Sequence, residues 1–136
     1  MKVLVAPLCS TTVASEEWLR CIRSVEGQVY HPFEWDLAVI CNTNDDEYYR
    51  EILDAVPDEY PVIQTESNGG NGLGHNSVLR YFLEVCEANE YTHLIMIDAD
   101  DFYYPVAFQS IGDIADIIPF DYLSNTGYLA CQYRNR

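Results

Sequence analysis

Three carboxylates within four residues, Asp98-Ala99-Asp100-Asp101, follow directly on the apolar run Leu94-Ile95-Met96-Ile97. Four bulky apolar residues in a row read as a buried strand covered on both faces, as in a parallel sheet. In open α/β sheets, ligands bind outside the carboxyl ends of the strands, so the acids are placed where chemistry occurs. Carboxylates this close repel one another unless a cation or a proton intervenes. Oxygen-only ligands suit magnesium or manganese held together with a substrate phosphate. The alternative reading of the same residues is a solvated acidic turn.

The elements that must position these acids follow a regular rhythm. Val3-Leu4-Val5-Ala6 reads as a buried strand, and Ser15 is the expected cap of a helix running to about Val25 with Trp18, Cys21, Ile22 and Val25 on one stripe. Leu37 to Cys41 is a second strand. Asn44 and Glu47 form a capping-box pattern before a helix carrying Tyr48, Ile52, Leu53 and Val56. Val62-Ile63-Gln64 is a short third strand. The glycine-rich segment Asn68 to Gly74 then opens a helix with Val78, Leu79, Phe82, Leu83 and Cys86 expected inward. After the acids, Pro105 suits the first turn of a last helix with Val106, Ile111, Ile114 and Ile118 as its apolar positions. Tyr122-Leu123 and Tyr128 to Cys131 are candidate later strands. Strands alternating with helices imply right-handed crossovers and a mainly parallel, doubly wound α/β sheet flanked by helices.

Composition narrows the partners. The 136 residues form one domain, and seven basic against 22 acidic side chains leave a formal charge of −15. That charge repels nucleic acid and anionic lipid, so a phosphorylated ligand needs a metal bridge. The five cysteines are odd in number and form no Cys-x-x-Cys pair, which indicates neither a zinc site nor a disulfide framework and points to a reduced, cytoplasmic protein. No stretch is long and apolar enough to span a bilayer, and the run before Pro7 is too short for a signal peptide. The glycine segment lets backbone approach a ligand closely, and the helix after it offers unpaired amides near Gly74, His75 and Asn76. It does not match Gly-x-Gly-x-x-Gly, because His75 stands at the third glycine position, and it follows the third strand rather than the first.

From Val3 to Phe108 the chain resembles the nucleotide-binding half of a family 2 glycosyltransferase of the GT-A fold. The residues that carry the resemblance are the opening strand ending in Pro7, the passage Cys21 to Tyr30, the second strand with its polar exit at Asn42, Gly72-Leu73-Gly74-His75-Asn76, and the Asp-x-Asp of Asp98-Ala99-Asp100 with Pro105 beyond it. The resemblance implies a Rossmann-like GT-A fold, shortened on its carboxyl-terminal side, that binds a nucleotide-diphosphate sugar, most simply a UDP-sugar, with Mn2+ or Mg2+. Asp98 corresponds to the residue that contacts the ribose or the metal shell, Asp100 to the direct metal ligand, and Asp101 to a support acting through water. Ala99 lies between the two in the donor site. Pro7 and Ser10 line the base pocket beside Asn42 and Asn44, and His75 stands where the family often carries arginine, next to Asn76. Asn42 replaces the usual aspartate and leaves the identity of the base open.

Inverting members of the family take their catalytic base from an acidic motif in the acceptor half, which the chain is expected to lack. Asp113, Asp116 and Asp121 follow the acids, but none matches that motif. The leading expectation is a metal-dependent sugar transferase domain. The alternative is a nucleotide- or metal-binding remnant, or a subunit completed by a second copy or a partner chain. Sugar-phosphate nucleotidyltransferases share the broad architecture, but they expect a glycine-rich basic signature where this chain has Pro7 to Thr12.

Overall fold

A computed structural model of the chain describes residues 1–9, 12–67 and 73–117. In chain order the elements are β1 (Lys2–Cys9), α1 (Ser15–Glu26), β2 (Glu34–Leu37), β3 (Val39–Asn42), α2 (Asp46–Ala55), β4 (Val62–Thr65), α3 (Leu73–Asn89), β5 (His93–Asp98) and α4 (Ala107–Ile117). All strand pairs are parallel: β1 lies between β5 and the β2/β3 line, and β4 follows β3. The result is an α/β, Rossmann-like sheet flanked by helices. Among the described residues no helix is long and apolar enough to cross a membrane.

β2 and β3 are one strand line broken at Ala38. The register is unshifted across the break, with Val5 opposite Leu37 and Leu8 opposite Ile40. Pro7 explains the interruption. The Val5 carbonyl accepts the Ala38 N–H at 3.0 Å, whereas the Leu8 carbonyl accepts the Ala99 N–H on the other side of β1 at 2.7 Å. Pro7 is in phase with Val5, so the N–H it lacks would have pointed toward the break. The second strand therefore starts earlier than expected, at Glu34 rather than Leu37.

The sheet has two unlike faces. On one, β1 sends Val3, Val5 and Cys9 into a core shared with α1, α2 and Phe108. The expected α1 stripe is fully realised, with Trp18, Cys21, Ile22 and Val25 all buried. On the other face, Ala6 and Leu8 meet Ile40 and Val78 of α3. There Leu79 and Leu83, expected inward, are exposed, while Val78 is fully buried and the half-buried Tyr81 packs against the same cluster. Among the described residues β5 pairs with β1 alone, and Leu94, Ile95 and Met96 are half-buried rather than covered on both faces.

Helix ends differ from expectation in instructive ways. Ala14 is the N-cap of α1, and Ser15 is its first helical residue. At α2 the cap is Asp45, whose Oδ1 accepts the N–H groups of Glu47 and Tyr48 at 3.0 and 3.2 Å, while Asn44 bonds elsewhere. Asp and Asn cap equally well, so an Asn-Thr-Asn-Asp run does not by itself say which residue turns extended. α3 ends in a double reverse bond, Glu90 N–H to Glu87 O and Tyr91 N–H to Cys86 O, with Glu90 at φ 60° where glycine is usual. α4 starts two residues after Pro105. Val106 and Ile114 are exposed, and Phe108, missed by the apolar spacing, is wholly buried. Gly112 is needed there because a Cβ would lie 2.5 Å from Pro32. Ile118, Asp121, Tyr122-Leu123 and Tyr128 to Cys131 lie outside the described residues, as does the segment 68–72.

Candidate functional site

Chain order reverses at β1: β2/β3 and β4 extend to one side, and the later β5 joins the other. That reversal falls at the carboxyl ends of β1 and β5, the place where open α/β sheets bind ligands. Asp98 is the last residue of β5, directly opposite Leu8. The Ala99 N–H still bonds to β1, and the Asp101 N–H closes back on the Asp98 carbonyl at 2.9 Å. The acids therefore form a tight turn anchored to the central strand. Ala99 faces inward and is buried, which forces its neighbours outward.

Asp98, Asp100 and Asp101 are exposed, and one carboxylate oxygen of each lies within 4.8 Å of the others. Three hard oxygen donors at such spacing fit a divalent cation of the magnesium or manganese type. Their electrostatics fit it as well. Desolvation, followed by the charges of Asp100 and Asp98, pushes the Asp101 carboxyl above its ordinary value against the pull of Arg20. The Cys21 thiol beneath is pushed up to about 12, by burial first and then by the Asp101 charge. Bringing a cation to the turn would relieve that repulsion.

The turn is braced from α1. Arg20 donates to the Asp100 carbonyl at 2.8 Å and lays its guanidinium over Phe102 at 4.8 Å from the ring centre. Ser24 Oγ accepts the Tyr103 N–H at 3.0 Å. Buried Gln28 donates its amide to the carbonyls of Ser24 and Tyr104 and accepts the Phe108 N–H at 2.8 Å. The Val29 N–H reaches the Pro105 carbonyl at 2.9 Å. Tyr103 is partly buried against the core, and the desolvation raises its phenol and keeps it neutral. None of the bracing residues was singled out from sequence. A polar residue after a helix carries no signal of the distant backbone it will meet.

The start of α3 closes the other side. His75 Nε2 lies 3.8 Å from Asp98 Oδ1, both side chains being about half exposed. Two residues on, Ser77 Oγ donates to Asn42 Oδ1 at 3.2 Å. The first turn of α3 thus reaches β5 with one side chain and β3 with another, across the end of β1. Asn42 is 3% exposed and also accepts from Thr65 Oγ1 at 2.8 Å, yet among the described residues its Nδ2 has no hydrogen-bond partner. An orphaned buried amide is costly and uncommon. Asn44 instead spends its amide on the Ser67 backbone, donating to the carbonyl and accepting the N–H at 3.0 Å. Pro7 is buried within β1, Asn76 is exposed at the start of α3, and Ser10 lies outside the described residues. The structure thus gathers Asp98, Asp100, Asp101 and His75 at the end of β5, while Asn42 at the end of β3 is linked to them through the first turn of α3.

A Rossmann-like, GT-A-like fold with acids at its switch point is the class this architecture defines. No protein-family model matches the chain, and no curated protein sequence matches it. Among solved structures it is similar to residues 1–349 of S. aureus TarS, a glycosyltransferase, with a TM-score of 0.51 and 18% identity. The alignment covers 85% of this chain and 32% of that one. The chain thus spans about a third of the TarS structure, and the likeness is one of fold.

Proposed function

We propose that this chain is the nucleotide-sugar-binding part of a metal-dependent glycosyltransferase, transferring a hexose from a nucleotide-diphosphate donor, UDP-sugar being the simplest choice. The observation that carries the reading is the meeting of three carboxylates at the sheet's switch point in a fold shared with a glycosyltransferase. Asp98, Asp100 and Asp101 would hold Mn2+ or Mg2+. When bound, the ion would neutralise the donor's diphosphate and stabilise it as a leaving group.

The chain's own residues supply the rest of the binding. A net charge of −15 rejects a bare diphosphate, so the acids are useful only as a metal cradle. His75, beside Asp98, adds a cation next to the phosphates when protonated. Asn42 is the natural partner for a nucleoside, because its Nδ2, without a partner among the described residues, can donate to a ribose or base oxygen directly or through a bridging water. Pro7, Ser10, Asn44, Asn76 and Ala99 complete the proposed donor site. The backbone braces from Arg20, Ser24 and Gln28 keep the acid turn in place before the ligand arrives.

Calorimetric titration with UDP and GDP, each with and without Mn2+, tests the reading. UDP is expected to bind only with the metal, and Asp100→Ala to weaken that binding at least about tenfold, or about 1.4 kcal/mol. Metal-independent binding, or binding indifferent to Asp100→Ala, overturns it. Release of free sugar from the donor separates a transferase from a domain that only holds nucleotide.

A further inference from the structure

At the rim of the sheet, outside the acid cluster, Cys9 of β1 stands directly opposite Cys41 of β3. Both side chains enter the same core cluster, Cys9 at 3% exposure and Cys41 at 0%. Neighbouring strands run about 4.8 Å apart. That spacing falls inside the window of about 4.4–6.8 Å between Cα atoms that a disulfide requires. The thiols are also unequal. The hydrogen bond from the Cys41 thiol, helped by the Asn42 backbone N–H, holds the Cys9 thiol below its ordinary value even though burial opposes this. The same bond and burial push Cys41 up.

We propose that Cys9 and Cys41 form a redox pair that a small hydroperoxide converts to an intramolecular disulfide. The Cys9 thiolate attacks the peroxide oxygen, giving a sulfenic acid and hydroxide, which takes up the proton that Cys9 released. The Cys41 sulfur then attacks the Cys9 sulfur, forming the S–S bond and expelling the sulfenic oxygen as water with the Cys41 proton. Two thiols and one hydrogen peroxide thus yield one disulfide and two waters. Cys9, at 3% exposure, is the less buried of the two, so it is the thiol that a small neutral peroxide would meet first, and its burial disfavours a bulky disulfide or maleimide. The cross-link would tie β1 to β3 one residue before Asn42. It is independent of the proposed donor chemistry.

The test is peroxide treatment of the whole chain, followed by denaturation in an alkylating agent and peptide mapping. Tryptic peptides 3–20 and 24–50, which carry Cys9 and Cys41, are expected joined, with a loss of about 2 Da. In Cys41→Ser, Cys9 should instead be recovered as a dimedone adduct of its sulfenic acid. In Cys9→Ser, position 41 should stay a thiol. Recovery of both wild-type peptides alkylated and unlinked, after a treatment that oxidises the partly exposed Cys86, overturns the proposal. So does a cross-link from either residue to any other cysteine.

Discussion

On the sheet face under α1 and α2, every residue of the α1 stripe is buried, and Ala99 within the acid turn and Phe108 beyond it drop into the same core. On the opposite face α3 buries Val78 but leaves Leu79 44% and Leu83 72% exposed. The acid turn is built on the first face. Its backbone braces come from Arg20 and Ser24 of α1 and from Gln28 and Val29 just beyond that helix, and its inward-facing alanine completes that core. Among the described residues the second face contributes to the site end-on, through His75 and Ser77 at the start of α3. The support of the acid turn thus comes from one layer and the flanking His75 and Ser77 from the other, so damage to one should be separable from damage to the other.

The largest contrast should come from two truncations. Phe108→Ala empties a fully buried aromatic position packed against His31, Phe33 and Tyr103 and is expected to cost about 3–5 kcal/mol in denaturant unfolding. Leu83→Gln on the exposed side of α3 should stay within about 0.5 kcal/mol of wild type. Equal losses would mean that the two faces are equally packed.

Gln28→Ala is expected to have an intermediate effect. It leaves the Phe108 N–H and the Tyr104 carbonyl without their side-chain partner, at a cost of about 2 kcal/mol. It should also weaken Mn2+ binding while leaving the metal ligands intact. Unchanged metal affinity in a folded variant would separate the brace from the site.

The smallest effect concerns charge. Asp101 holds its proton more tightly in the folded chain than at its ordinary value of 3.8. The folded state therefore takes up the proton first as pH falls, and stability rises toward acid in the window just above 3.8. At neutral pH the ionised group is a net strain. Asp101→Asn should slightly raise the metal-free melting temperature at neutral pH, lose that advantage as the pH falls through the window, and reduce the extra stability that Mn2+ confers. A lower melting temperature at neutral pH would contradict the crowding of the carboxylates.

Much of this was legible in the residues. The strand-helix alternation, the stripe from Trp18 to Val25, the run ending at Ile97 and the acids after it each follow from local periodicity, which side-chain burial enforces one element at a time. The errors are of a different kind. Leu79, Leu83, Val106 and Ile114 have the spacing of core residues, but spacing cannot say whether a neighbouring element arrives to cover them. Ser15, Asn44 and Asp45 are interchangeable as caps until the chain chooses its turn.

The sequence by itself determined the parallel α/β architecture and the grouping of three acids at a strand's end, because alternation and adjacency are properties of the chain. Tertiary structure alone decided that His75 meets Asp98, that Ser77 meets Asn42, that Gln28 braces a backbone some 80 residues away and that Cys9 faces Cys41. Those contacts depend on strand order and register. Both are set by how whole elements share a core, and no local pattern encodes them.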